Sequence, residues 1–468
     1  MKIIKYVNNY NMASKFKNVI LMAAIFSLFL LISFNVQAAS FTDNQTVDSN
    51  KTWTIKFTSD IGFDDLTKQS ITVTDSKGTK VNVGLQLGQD GRTITVTAPQ
   101  GGYTSGKSYI LNIGNKVHST KGKVLNKEYK LNFNIKSNGN KIFSGKKIKS
   151  GSLSIDYDIK QALSDIDKFK LNTLNIPVEI KIDNLSSSNM IIDELSEEKA
   201  ISLIKQLKGK DINIILEPYP WITGGKSETK WNPDNMSTFF SNWKMNVLKP
   251  LIDNIANPYN VDVLNIGSNF VNIEPEEKNW CDTIDYVRKY YKGLVTYRTN
   301  KWDTASWAPK SITDYENKLN NKLFSKLDFI SIAAYFELTN NDTNTVENLV
   351  SAIECSQAVP DKGQVRNQNI KREIKNFYDK WNKPIFFGEL GFPKINGASI
   401  QPWNPWENST VNNAEQANCF EAYRREFEDE PWVLGFSVFA IGSQKGEKIY
   451  YPSKQSTSVI RDWYSKEQ

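Results

Sequence analysis

Five carboxylates, Asp156, Glu179, Glu217, Glu337 and Glu389, stand at or just beyond the ends of apolar runs in the larger, C-terminal part of the chain. Glu389 is the sharpest case. It closes the run Pro384-Ile385-Phe386-Phe387-Gly388 and is followed by Leu390-Gly391-Phe392-Pro393, which puts a charge where a strand must end in a turn. The single histidine, His118, lies well before this region. A Ser-His-Asp triad, a Cys-His dyad and a His-rich zinc site are therefore excluded there, leaving carboxylates, Tyr and Lys to do chemistry. Glycoside hydrolysis is a reaction that two carboxylates run unaided, one as nucleophile and the other as acid and then base. Trp221, Trp231, Trp302, Trp307, Trp403 and Trp406 all follow proposed strand ends, where flat indole faces suit sugar rings.

The elements that must position these groups change character along the chain. From 41 to 136, short runs alternate with period two, as in Thr52-Trp53-Thr54-Ile55-Lys56-Phe57, Thr93-Ile94-Thr95-Val96 and Tyr109-Ile110-Leu111-Asn112-Ile113. Turn residues such as Asp75-Ser76-Lys77-Gly78 separate them, so this stretch reads as an all-β sandwich. A Ser/Gly/Asn/Lys-rich linker over 137–150 follows. From 151 to 466, strands alternate with amphipathic helices. The expected strands are Leu153–Tyr157, Thr173–Val178, Ile212–Glu217, Val261–Gly267, Leu294–Tyr297, Phe329–Ala334, Pro384–Gly388 and Val433–Phe439. Eight such units fit a closed (β/α)8 barrel, whose reacting groups gather where strands end. No Gly-rich phosphate loop follows the first strand, which argues against a doubly wound sheet and leaves no cofactor to expect.

The net charge of +7 is spread over scattered lysines with no block of like charge, so nucleic acid is not the expected partner. Lys15 and Lys17 precede an apolar run from Val19 to Phe34 and the small-residue pattern Val36-Gln37-Ala38-Ala39. Residues 1–38 thus read as a secretory signal peptide, with no membrane contact expected after cleavage. Cys281, Cys355 and Cys419 are too few and too far apart for a disulfide framework or a CxxC metal site, and are expected to be buried apolar residues.

The segment holding Trp53-Thr54-Ile55-Lys56-Phe57 and the corner Tyr103-Thr104-Ser105-Gly106-Lys107-Ser108-Tyr109 resembles the Ig-like domains of secreted and S-layer proteins of Gram-positive bacteria. That resemblance implies a spacer or a cell-wall contact. From about Leu153 to Ile460 the chain resembles the retaining hydrolases of glycoside hydrolase clan A, and most nearly the β-mannanase-like family 113. The likeness rests on Asn172-Thr173-Leu174-Asn175-Ile176-Pro177-Val178, Leu216-Glu217-Pro218-Tyr219, Leu264-Asn265-Ile266-Gly267-Ser268-Asn269, Gly293-Leu294-Val295-Thr296-Tyr297, Ile330-Ser331-Ile332-Ala333-Ala334-Tyr335 and Lys383-Pro384-Ile385-Phe386-Phe387-Gly388-Glu389-Leu390-Gly391.

By this resemblance Glu389 is the nucleophile and Tyr335 the phenol that orients it. Asn269 stands where the family carries its acid/base Glu, and Phe436-Ser437-Val438-Phe439 where it usually carries Trp. Glu274 is the expected replacement acid, with Glu217 as a second candidate. Tyr219, Trp221, Trp231, Trp302 and Trp403 join Asn269, Tyr335 and Glu217 as expected substrate-binding residues, with no metal. The implied activity is a secreted or surface-associated retaining glycosidase on a β-linked, mannan-like polysaccharide. The alternative is a glycan-binding pseudo-enzyme that has lost its proton donor. If only that donor is missing, Asn269→Glu is expected to raise the rate.

Overall fold

The computed structural model describes residues 3–4, 45–99, 102–104, 107–135, 146–360, 363–406, 408–443 and 449–465. The signal-peptide segment lies outside them apart from residues 3–4, as does most of the linker. The chain divides into two compact units, 1–137 and 138–468.

In the first unit the alternating runs form strands as expected. Trp53–Phe57 pairs antiparallel with Thr93–Thr97, which pairs with Gly84–Leu87. Facing them is a second sheet built on Ile71–Asp75, Ser108–Ile113 and Tyr129–Ile135. The inward residues, among them Trp53, Ile55, Val73, Ile94, Leu111 and Phe133, make one core. His118 belongs here, 3.3 Å from Asp64.

The second unit is a closed barrel of eight parallel strands: β1 (Ile148–Leu153), β2 (Thr173–Ile182), β3 (Asn213–Ile222), β4 (Val263–Ser268), β5 (Leu294–Asn300), β6 (Ile330–Ala333), β7 (Ile385–Leu390) and β8 (Val433–Ile441). Strand β1 pairs with both β2 and β8, which closes the ring. Outward residues such as Leu174, Ile176 and Val178 pack on the surrounding helices. Inside, Ile148, Ile215, Val263, Phe329 and Phe386 form an apolar plug near the strands' N-terminal ends, so the open face is the C-terminal one. Asp158, Asp193, Asn235 and Asn412 each cap a helix with a side-chain oxygen, fixing where the chain turns after a strand.

Several strand boundaries differ from the sequence reading. The first strand begins at Ile148, inside the stretch read as linker and ahead of the expected Leu153–Tyr157. Its residues Lys149-Ser150-Gly151-Ser152 carry no apolar pattern, because Gly151 lies where a Cβ would meet Ile441 at 2.2 Å and Ser152 bonds Ser437 of the neighbouring β8 at 2.8 Å. Strands β2 and β3 also run further than expected, and place Glu179, Lys181, Tyr219 and Trp221 on strand ends instead of loops. The cysteines are free; Cys419 is buried as expected, whereas Cys281 is half-buried and Cys355 exposed.

Candidate active site

Above the apolar plug the barrel interior turns polar around Arg298 of β5. Its guanidinium donates to Glu217 Oε2 at 2.8 Å and to the Gly388 carbonyl at 3.2 Å, while its Nε pairs with Glu389 Oε2 at 3.3 Å. The two carboxylates raise the pKa of Arg298 although burial opposes it, so the cation is permanent. Gly388 makes this reach possible. A Cβ there would sit 1.9 Å from Ser331 Oγ and 3.2 Å from Arg298 Cδ.

Glu389 is held from three sides. Besides Arg298, the Tyr335 hydroxyl donates to Oε1 at 3.0 Å and Asn269 Nδ2 donates to Oε2 at 3.4 Å. Burial, reinforced by Glu389, keeps the Tyr335 phenol well above its ordinary pKa, so it remains a donor. Phe439, from the segment where a Trp was expected, packs its ring 6.5 Å from that of Tyr335.

Asn269 follows β4 with a left-handed backbone, φ 59°, and its amide donates to the Arg298 carbonyl at 3.0 Å. Its Nδ2 also donates to Glu228 Oε1 at 3.1 Å, so one amide group bridges two carboxylates. Glu228 was not singled out in the sequence. It lies in a polar loop without periodicity, and the available signal was the Gly224-Gly225 turn with a Trp seven residues beyond its first glycine. That loop is tightly built. Gly224 and Gly225 adopt φ 82° and 66°, Ser227 caps the short 3-10 turn Glu228–Lys230, and Asn272 Nδ2 donates to the Thr229 and Trp231 carbonyls at 3.4 and 3.3 Å. Burial raises the Glu228 carboxyl above the ordinary range. Its own backbone N–H opposes the shift, the Glu389 carboxylate adds to it, and Asn269 and Arg298 oppose it.

Several expected site residues are elsewhere. Glu274 does not reach the mouth: its Oε1 accepts from Lys318 Nζ at 2.5 Å, and Lys318 also donates to Thr299 Oγ1 at 2.7 Å, on the outward side of β5. Glu217 is inside the barrel but below the site, occupied by Arg298 and by Asn175 and Asn265, whose amides donate at 3.2 and 3.1 Å. It supports Arg298 and has no room for a sugar.

Trp231 is fully buried among Phe239, Trp243 and Phe270 and donates to the Ser187 carbonyl at 2.9 Å. Trp302 is likewise buried, against Tyr315, Phe336 and Phe377, and donates to Glu373 at 2.9 Å. Both were expected as sugar platforms, and packing has made them core. Trp221 and Trp403 remain 44% and 49% exposed. Trp221 lines a cleft of about 410 Å³ with Glu179, Lys181 and Met190. Trp403 is oriented by Glu337, itself paired with Arg366 at 2.6 Å and Lys301 at 3.3 Å. Tyr219, half-buried, sits two residues beyond Glu217 on the same face of β3. Among the described residues no group of three or more His, Cys, Asp or Glu could hold a metal ion.

Residues 156–457 match the family model of Glycoside Hydrolase Family 113, and residues 32–135 match a bacterial Ig-like domain. No curated protein matches the sequence. Among solved structures, a GH113 β-1,4-mannanase aligns with a TM-score of 0.51 at 20% identity, covering 68% of this chain and 99% of the other. A GH113 β-mannanase from Alicyclobacillus acidocaldarius, in complex with ManMIm, aligns at 0.55 and 16% identity, covering 70% and 100%. At such identities the likeness is one of fold.

Proposed function

Because the chain belongs to glycoside hydrolase family 113, we propose that it is a retaining glycoside hydrolase acting on a β-linked, mannan-like polysaccharide, with Glu389 as the nucleophile. The setting of Glu389 carries this reading. A carboxylate at the C-terminal end of a barrel strand is aimed by a phenol at 3.0 Å and a guanidinium at 3.3 Å, with one oxygen facing the groups that follow β4. In such a reaction Glu389 attacks the anomeric carbon as the bond to the leaving oxygen breaks and that oxygen takes up a proton. That proton comes from a second group acting as acid, and when water displaces Glu389 the same group, now a base, takes a proton back from it.

Arg298 and Tyr335 would stabilise the carboxylate both before attack and as it departs. Asn269 Oδ1, buried without a hydrogen-bond partner, offers an acceptor to a sugar hydroxyl. Trp221, Trp403 and Trp406 are exposed indoles available for stacking. The solved relatives named β-mannanases support a mannan-like substrate. Secretion rests on the apolar run Val19 to Phe34 and its small-residue cleavage pattern, and a wall contact on the Ig-like unit.

The test is incubation of the purified protein with β-mannan, glucomannan and other β-glycans, following reducing ends, bound ligand and the anomeric configuration of first products by NMR. Cleavage of mannan with retention, abolished in a folded Glu389→Gln variant, is the expected result. Inversion would reject Glu389 as a nucleophile. Binding without cleavage of any β-glycan would favour the non-catalytic reading.

A further inference from the structure

A retaining site needs a proton donor opposite its nucleophile, and an amide cannot serve. The carboxylates near the mouth differ in how they are committed. Glu274 is tied to Lys318 on the far side of β5, Glu217 to Arg298 beneath the site, and Glu337 to Arg366 and Lys301. Among the described residues Glu228 is ion-paired with no such cation. Its carboxyl shares Asn269 Nδ2 with Glu389, at 3.1 and 3.4 Å, so the two bonded carboxyl oxygens stand no more than about 6.5 Å apart. Retaining glycosidases hold their pair about 5 to 5.5 Å apart, which this limit includes.

Resting on the retaining-hydrolase reading, we infer that Glu228 supplies the acid and base that position 269 lacks. As a carboxylic acid it donates its proton to the leaving glycosidic oxygen while Glu389 attacks the anomeric carbon. As a carboxylate it then takes a proton from the water that displaces Glu389, which restores both groups. Asn269 becomes a positioning residue, holding the two carboxyls in register through one amide nitrogen.

Three features support the assignment independently of the distances. The loop after β3 is folded to present this residue: paired glycines turn the chain so that Ile222 bridges Lys226, Ser227 caps the turn, and Trp231 anchors its end in the core. Desolvation of this half-buried carboxyl also favours the protonated form that an acid requires. The groups facing Glu228 are Glu389, Arg298 and Asn269, with Lys226 and Lys230 on its own loop; Arg298, the cation of the barrel interior that faces it among the described residues, is paired with two carboxylates.

The test compares the full chain with Glu228→Gln and Glu228→Asp on two probes, mannopentaose and 2,4-dinitrophenyl β-mannobioside. The aryl leaving group needs no proton. Glu228→Gln should lose about 10²- to 10⁴-fold in kcat on mannopentaose while keeping the first-turnover burst of dinitrophenol. Added azide should restore its steady-state rate and yield a β-configured mannobiosyl azide, because azide replaces water without needing a base. For the natural chain, the rate on mannopentaose should fall as pH rises through the raised pKa of Glu228. That limb should vanish in Glu228→Gln and persist in Glu228→Asp. Equal slowing on both probes with no response to azide would overturn the role, as would unchanged activity. Turnover of neither probe by the natural chain would instead overturn the hydrolase reading. Thermal unfolding of each variant separates loss of chemistry from loss of fold, and Glu228→Asp carries the pH test if the Gln variant does not fold.

Discussion

At position 269 the backbone is left-handed, a conformation that Asn tolerates better than Glu. From sequence, Asn269→Glu promises a gain, since it returns a carboxyl opposite Glu389. The geometry reverses that expectation. The new carboxylate would lie between Glu228 and Glu389, replace a donor by an acceptor, and cost about 1 kcal/mol in backbone strain. We therefore expect kcat/KM on mannopentaose and Tm both to fall, and a rate increase would restore Asn269 as a lost acid. Tyr335→Phe removes one charge-assisted bond to Glu389, worth about 1.5–3 kcal/mol. The expected loss in kcat/KM is about 10- to 100-fold with folding intact, read from steady-state kinetics and circular dichroism. Glu217 is bonded to Arg298, Asn175 and Asn265, and its charge is balanced by Arg298. Glu217→Ala would leave a buried guanidinium short of a partner and should destabilise by about 3–5 kcal/mol in urea unfolding.

The elements explain why the tryptophans sort as they do. Trp221, Trp231, Trp302 and Trp403 each follow or end a strand in the sequence, yet Trp221 and Trp403 stay exposed while Trp231 and Trp302 are packed against the helices that cover the barrel. Trp302→Ala should cost about 3–5 kcal/mol and would deprive Glu373 of a donor. Trp231→Ala should cost a similar amount. It should also lower kcat on mannopentaose more than on the dinitrophenyl substrate, because it loosens the turn that carries Glu228. Trp221→Ala and Trp403→Ala should instead leave Tm nearly unchanged and weaken binding of long manno-oligosaccharides, measured by calorimetry. A large drop in Tm for either exposed residue would place it in the structural set.

For the whole molecule, the two units have separate hydrophobic cores, so the barrel should fold without the sandwich. The cut must fall before Lys147, whose Nζ donates to the carbonyls of Glu430 and Val433, and before β1. A chain starting near residue 146 should unfold cooperatively and keep its activity on mannopentaose. One starting after Gly151 loses four of the six residues of β1 and with them the closure of the barrel, and should be insoluble.

Much of this was legible in one dimension. Period-two runs before 136 and the later alternation of strands with helices are local consequences of which face each residue must bury, and they gave the sandwich and the barrel. The missing histidine and the charge at the end of Pro384–Glu389 limited the chemistry to carboxylates without any structure. What remained hidden depended on contacts between distant segments. Strand β1 carries no apolar pattern because Ser152 bonds Ser437 of neighbouring β8 and Gly151 is close-packed against Ile441 of the same strand. Whether an indole is platform or core is decided by the helices around it. Glu274 and Glu228 are both acids in loops at the strand ends, and only the fold gave one a lysine behind β5 and the other an amide shared with Glu389. A carboxyl's role follows from its partners, and those are set by tertiary packing.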